Sequence, residues 1–319
     1  MKPPAFDYAV PCTVPEAVEL LAAADGAAQV LAGGQSLVLD LRLHRARPTL
    51  LVDINRIPGL DRLDPDGRTL RVGALVRHRT FESERAVPGP LGALLAGAAA
   101  HIAHPPIRTR GTMAGSFAWA HPASEWCAVG AALDADLELS GPRGTRTVGA
   151  RDYFRGPHLT ARRPDELLTA VTFPLLGDDT GVGFIEHRRT HFCFAQVAVA
   201  AALTVRDGVV ADARIGLANC ADRPLRARAA ERSLLGTAAR ELDTEARELG
   251  SAARERADGH PFARAGRIAA EQDAAPVPEP YADVEYRRHA IAVLVARTLH
   301  RAARDLDRRL RISPDGDRA

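Results

Sequence analysis

The chain has 319 residues, 46% hydrophobic and 26% charged, with 42 basic against 40 acidic residues and a formal net charge of +2. This is the composition of a soluble globular protein large enough for two or three domains, and the near-balance of charge argues against a nucleic-acid or membrane-surface protein. Lys2 is the only lysine, so the other 41 basic residues are arginines, no second lysine can be catalytic, and basic clusters such as "RRH" (Arg287 to His289) are expected as solvated faces.

The stretch "MKPPAFDYAVP" has no apolar segment of a secretory signal. Nor does any run approach the roughly 18 uncharged apolar residues of a membrane span, so a cytoplasmic location without a membrane span is expected. From Thr13, "TVPEAVELLAAADG" predicts an N-capped helix with Val18, Leu20 and Leu21 on one side, closed by Gly26 and followed by a short strand. That strand breaks at "AGGQSL", Ala32 to Leu37. A Gly-Gly pair after a strand marks a tight turn, a positive φ or close approach of backbone to a ligand. With Gln35 and Ser36 following, the loop offers successive N–H groups and two polar side chains, the chemistry of an anion nest.

"TLLVDINRIPGL" predicts a second strand, "TLRVGALVRHRTF" from Thr69 alternates like a third, and "PLGALLAGAAAHIA" reads as a helix. Within "HIAHPPIRTRGTMAGSFAWAHPASEW", His101 to Trp126, a second glycine-bearing loop, "RGTMAGS", again sets small residues and hydroxyls where a backbone can approach a ligand. "ADLELSGPRGTRTV" and "ELLTAVTFP" add strands. After "LLGDDTGVG" the pattern changes, and "FAQVAVAAALTVRDGVVADARIGLANC" predicts a hairpin about Asp207-Gly208. Pro224 to Gly250 and Tyr286 to Leu310 predict amphipathic helices, the second with Ile291, Leu294, Val295 and Leu299 on one stripe. "EQDAAPVPEP", Glu271 to Pro280, reads as an extended connection between them.

Two glycine loops in adjoining α/β units imply a ligand held between subdomains. A dinucleotide meets that description, because its pyrophosphate needs several N–H donors. Neither loop is G-x-G-x-x-G or a phosphate-binding G-K-[ST] loop, so Rossmann and NTPase readings are poor. Cys12, Cys127, Cys193 and Cys220 form no C-x-x-C, and no zinc or iron–sulfur ligand set is visible. His101, His104 and His121 crowd the second loop with Trp119 and Trp126, but their spacing fits no closed metal site, and no catalytic residue or metal ligand is assigned.

"AGGQSL" together with "IRTRGTMAGSFAWAHPASE" (Ile107 to Glu125) resembles the FAD-binding medium subunit of the molybdenum hydroxylases, the carbon monoxide dehydrogenase and xanthine dehydrogenase family. "RPLRARAAERSLLG" (Arg223 to Gly236) and "VEYRRHAIAVLVARTL" (Val284 to Leu299) are similar to the family's C-terminal domain, so the resemblance covers nearly the whole chain in order. It implies an α+β architecture: a two-subdomain FAD-binding fold of the vanillyl-alcohol oxidase type over 1–177 (subdomains about 1–57 and 58–177), then a domain of small antiparallel sheet and helices over 178–310, and a tail, 311–319.

The resemblance further implies that Ala32, Gly33, Gly34, Gln35, Ser36 and Leu37, with Thr112, Met113, Ala114, Gly115 and Ser116, cradle the FAD pyrophosphate, the hydroxyls of Ser36, Thr112 and Ser116 adding contacts. Glu125 falls where the family has an acidic residue reaching the flavin nucleotide, and Ile102 and Leu168 where apolar side chains touch it. Ile102 and Leu168 also read as plain core, and Glu125 as a helix cap. Three positions depart from the family pattern: Ala114 replaces a glycine, Glu186 stands where many relatives carry lysine near the flavin end, and "THFCFAQ" replaces Gly-Asp, bringing in Cys193.

The implied function is electron transfer. A partner with [2Fe-2S] clusters and a large molybdenum-cofactor subunit would complete a heterotrimer or its dimer, and FAD would deliver electrons to NAD, oxygen or another acceptor. Two other readings stay open on sequence: a self-contained flavin oxidoreductase of the same fold, and a scaffold subunit without FAD.

Overall fold

The computed structural model describes residues 2–190, 192–242 and 259–312. The chain opens with β1 (Asp7–Ala9), α1 (Val14–Ala23), β2 (Ala28–Leu31), α2 (Leu37–Arg42), β3 (Leu50–Asp53), β4 (Leu63–Pro65) and β5 (Thr69–Gly73). It continues through α3 (Gly89–Ala99), α4 (Pro105–Arg108), α5 (Met113–Trp119), α6 (Glu125–Leu133), β6 (Asp136–Gly141), β7 (Gly144–Gly149), α7 (Ala150–Tyr153), β8 (Phe154–Gly156), β9 (Leu159–Thr160) and β10 (Leu167–Pro174). Then follow β11 (Thr180–His187), β12 (Val197–Arg206), β13 (Val209–Ala218), β14 (Leu225–Arg226), α8 (Arg228–Arg232) and two further helices, Pro261–Ile268 and the 29-residue Val284–Ile312. The fold is α+β.

Contacts divide these elements into two compact units that interleave along the chain: 1–80, 102–121 and 134–174 in the first, 81–101, 122–133 and 175–319 in the second. In the first unit a parallel sheet of order β1-β3-β2 is accompanied by a five-stranded antiparallel sheet, β4-β5-β10-β6-β7. Helix α1 starts as its sequence dictates. Thr13 accepts from Glu16 N at 3.3 Å while the Glu16 carboxylate accepts from Cys12 N at 2.7 Å, a capping box that reaches one residue further back. Ala17, Val18 and Leu21 then form its buried face.

The second unit is built on the antiparallel sheet β11-β12-β13-β14. Its central strand, β12, is buried on both faces, and the two faces differ in residue size. Val197, Val199, Ala201 and Leu203 join Phe262, Ile291, Val295 and Leu299 of the two long-range helices in one core. The other face meets α6, whose nine residues are all buried, and it is lined by small residues because the helix lies close. A Cβ on Gly216 would stand 2.0 Å from Ala128 O, so any side chain there would push α6 off the sheet. The hairpin expected at Asp207-Gly208 is present, both residues having positive φ (50° and 72°), which fits the right-handed twist of the flanking strands.

Some elements depart from the sequence reading. The stretch after Pro224 forms β14, the short α8 and a 3₁₀ turn at Ala239–Leu242; residues 243–250 of the expected helix lie outside the described residues. The Pro-rich connection is helical as far as Asp273 before it extends. The "RRH" cluster is split: Arg288 and His289 are exposed, but Arg287 is 1% exposed. Its guanidinium donates to Val277 O at 2.5 Å, Gln196 O at 3.2 Å and Asn219 O, and it pairs with Glu279 at 3.2 Å. A planar fork with several donors can tie three separate segments to one helix; a solvated arginine would gain none of this. Arg287→Met should therefore cost about 3–5 kcal/mol by leaving those acceptors buried without a donor, read as a lower urea midpoint at unchanged m-value, with Arg287→Lys recovering part of the loss.

Candidate functional site

The interruption after β2 is explained by contact within the first unit. A Cβ on Gly33 would lie 2.3 Å from Arg110 O and 2.7 Å from Gly111 Cα, so only glycine lets the first loop rest its backbone on the second. Gly34 has φ +73°, which reverses the chain into α2. The turn and the positive φ hold at Gly34, and Gly33 adds a close approach of backbone to backbone. Among the described residues no acceptor within the chain takes the backbone N–H groups from Gly33 to Leu37, and Ser36 leads into α2 without using its hydroxyl as a cap. A chain of adjacent N–H donors turned to one concavity is an anion nest.

The concavity is a cavity of about 510 Å³ in this unit. Of the residues expected at the site, Ala32, Gly33, Gly34, Gln35, Ser36, Leu37, Thr112, Ala114, Gly115, Ser116 and Leu168 line it. Met113 is fully buried core, and Ile102, 7% exposed, does not line the cavity. Glu125 belongs to the second unit, buried on α6. The second glycine loop is mostly helix: α4, α5 and α6 occupy a stretch whose Gly and Pro content reads as irregular. Thr112 caps α5, accepting from Gly115 N at 3.0 Å. Ala114 sits inside that helix with no positive φ, so replacing the family's glycine carries no backbone strain here. A register shift in the β10–β6 pairing at Leu168/Ala170 falls where Leu168 meets the cavity.

Residues not assigned to the cofactor site from the sequence complete the wall. His78 lines it and lies under Gly111, whose Cβ would be 2.6 Å from His78 Nε2. Burial, then the charges of Arg108 and Arg77, push this imidazole down to about 4, so it stays neutral at physiological pH. Trp119 and His158 share the rim, ring centroids 4.9 Å apart. Arg162 donates to Arg163 O (3.1 Å) and Glu166 O (2.8 Å), both carbonyls, so no carboxylate cancels its charge; Glu166 is instead taken bidentately by Arg146 at 2.7 and 2.8 Å. The wall therefore offers N–H donors, the Arg162 guanidinium, which has no carboxylate partner among the described residues, and an apolar floor of Ile54, Ala74 and Leu168. That set fits a phosphate-bearing ligand with an aromatic part.

The second unit holds a separate cluster of buried charge. The Glu186 side chain is 0% exposed and neither oxygen has a hydrogen-bond donor among the described residues; Arg188 Nε stands 3.4 Å away and His101 Nδ1 3.8 Å. Arg188 donates to His101 Nδ1 at 2.9 Å, which requires a neutral ring, and burial followed by the charges of Arg188 and Arg301 holds His101 down at about 4. Burial raises Glu125 to about 7, and burial with the neighbouring Glu125 raises Glu186 to about 8. Thr190 N donates to Cys193 Sγ at 3.4 Å, which lowers the thiol, and Sγ in turn lies 3.0 Å from Thr190 O.

A carboxyl raised on folding contributes stability that is complete below the unfolded pKa near 4.5 and is lost as pH rises through the folded value. The depressed histidines act in the opposite sense but are neutral in both states above about pH 7. Between pH 7 and 8 the melting temperature should therefore fall in the wild-type protein and fall less in Glu186→Gln, as followed by thermal unfolding across that window.

Residues 4–176 match the family model described as the FAD binding domain in molybdopterin dehydrogenase, and residues 184–255 match that of the CO dehydrogenase flavoprotein C-terminal domain. The chain is 35% identical over 303 residues to subunit alpha of the 6-hydroxypseudooxynicotine dehydrogenase complex of Paenarthrobacter nicotinovorans, covering 95% of this chain and 96% of the relative. It is 33% identical to the carbon monoxide dehydrogenase medium chain of Afipia carboxidovorans, with 95% and 98% covered. A solved carbon monoxide dehydrogenase chain from Hydrogenophaga pseudoflava superposes with a TM-score of 0.83 at 33% identity, over 95% of this chain and 98% of that one. The donor-rich cavity and these relationships agree: the chain belongs to the FAD-binding medium subunits of the molybdenum hydroxylases, an oxidoreductase family that includes carbon monoxide and xanthine dehydrogenases, and its cofactor is FAD.

Proposed function

We propose that the chain is the electron-transfer subunit of its complex, accepting electrons from the [2Fe-2S] clusters of a small partner subunit and passing them to an external acceptor, while a large molybdenum-cofactor subunit oxidises the substrate. The observation that carries this reading is the run of N–H groups from Gly33 to Leu37, residues that line the cavity and whose N–H groups have no acceptor among the described residues. FAD supplies the redox chemistry; the protein binds it, orients it and sets its surroundings. In this reading the nest residues Ala32 to Leu37 and the Thr112–Ser116 turn hold the pyrophosphate, Arg162 adds positive charge, and Leu168 packs against the ligand. Ile102 and Met113 act as buried core of the same unit behind these residues. The four cysteines form no disulfide, and two of them are buried, which supports placing the iron–sulfur clusters on another chain and fits a reducing cytoplasmic setting.

Released flavin should chromatograph as FAD in stoichiometric amount; FMN would show that no pyrophosphate is bound. Gly33→Ala should lower flavin retention by about tenfold or more, since its methyl group meets fixed backbone, whereas Ala114→Gly should lower stability by about 1 kcal/mol and leave retention in place. Anaerobic incubation of the isolated chain with N-heterocycles, aldehydes or carbon monoxide should leave the flavin oxidised, although dithionite reduces it. Rapid, saturable bleaching by one of those substrates would instead establish a self-contained enzyme.

A further inference from the structure

The two phosphate loops touch through Gly33, but contact alone does not fix their register. A polar clamp behind them does. Arg77 donates from Nη1 to Arg110 O and from Nη2 to Asn55 Oδ1, both at 2.6 Å. Asn55 Nδ2 donates to Ala32 O at 2.9 Å and to Asp53 Oδ1 at 2.6 Å, and Asp53 also accepts from Asn55 N and from the Tyr8 hydroxyl. The orientation of the Asn55 amide is unambiguous. Turned over, its oxygen would face a carbonyl and a carboxylate, and its NH₂ would face a guanidinium. Partial burial raises the Asp53 carboxyl, but the hydrogen bonds from Tyr8 and Asn55 outweigh it and hold the group ionised.

The carbonyls caught by the clamp are the last of the first loop's entry and the last before Gly111 in the second. In a trans peptide the C=O and the following N–H point in opposite directions. Holding Ala32 O against Asn55 therefore turns Gly33 N–H away from the clamp, at the start of the nest. Holding Arg110 O against Arg77 likewise orients Gly111, whose N–H donates to Ile107 O at 2.8 Å and whose carbonyl accepts from His78 N at 3.0 Å, closing the turn ahead of Thr112.

We propose that Arg77 and Asn55 are positioning residues for the cofactor diphosphate: a single guanidinium–amide bridge sets the register of the two loops so that both present donors to one ligand. The proposal rests on FAD as the ligand of this cavity. Neither residue touches the cavity itself, so the effect is transmitted through Ala32 O and Arg110 O.

The test uses flavin-stripped full-length chain, titrated with FAD and separately with riboflavin, which lacks the diphosphate, alongside thermal unfolding of each apoprotein. Wild-type affinity for FAD tests the cofactor reading; the ratio of variant to wild type tests the clamp. Arg77→Met and Asn55→Leu should each weaken FAD by about tenfold or more, leave riboflavin affinity within about twofold, and in combination lose no more than either alone, as two parts of one bridge do. Arg77→Lys keeps the charge but, as a point donor, cannot span both acceptors, and should bind FAD as weakly as Arg77→Met. Equal losses for FAD and riboflavin, tracking a lower melting temperature, would overturn the proposal in favour of a general structural role. Full recovery of FAD affinity in Arg77→Lys would overturn it in favour of charge alone.

Discussion

The first unit's site depends on one close approach, that of the Gly33 backbone to the backbone at Arg110 and Gly111. Both sides of that contact are short of side chain for the same reason. Gly33 has no room because of the second loop, and Gly111 has none because of the His78 ring. A side chain at Gly33 would press on the backbone of the second loop and part the two loops, and one at Gly111 would displace the His78 ring beneath it. The parallel sheet delivers the first loop from β2, and the turn after α4 delivers the second. Neither element binds the cofactor, but their separation decides whether the donors add up.

Arginine takes up much of the polar work that other proteins divide among lysine, asparagine and water. Arg77, Arg146, Arg162 and Arg287 each donate to one or more backbone carbonyls, and Arg146 and Arg287 pair with a carboxylate besides. The planar fork suits this because several donors are fixed by one side chain, and the ordering entropy is lost once for several bonds. The arginine bias of the composition therefore has structural consequences at particular positions, buried Arg287 being the extreme case.

The glycine loops, the capped α1, the hairpin about Asp207-Gly208 and the stripe of the last helix were legible because each is a local signal: turn chemistry, a capping box or a 3.6-residue period. The clamp was not. One arginine among 41 carries no contrast, and Asn55 lies in "VDINRIPG", where a polar residue at a strand end reads as a turn former. Only the fold brings Asn55 within 2.6 Å of a residue 22 positions away. The helices of the second loop were hidden for a related reason. Gly111, Gly115 and the paired prolines lower helical propensity, while Thr112 and close packing of Met113 and Phe117 restore it. Glu125 is present at its expected position in sequence, but it belongs to the second unit, where its neighbours are Glu186 and Arg188.

In that second unit, burial governs what a glutamate at position 186, where the resemblance expects many relatives to carry lysine, means electrostatically. An ionised Glu186 would have no donor on either oxygen and a second carboxyl nearby, with a neutral His101 and one arginine at 3.4 Å to offset them. Burying two negative charges against one positive charge is unfavourable; burying one is close to balanced. The pair therefore retains a proton near neutrality and titrates as a unit above the ordinary carboxylate range, by the logic of two acids sharing one site. Where a lysine would contribute a full positive charge, Glu186 contributes a neutral carboxyl, so the local potential becomes less positive by about one charge, without the two-charge reversal that the sequence change alone implies. Arg188 limits even that change, because its guanidinium is already committed to His101 and cannot swing to follow a departing proton without breaking that bond.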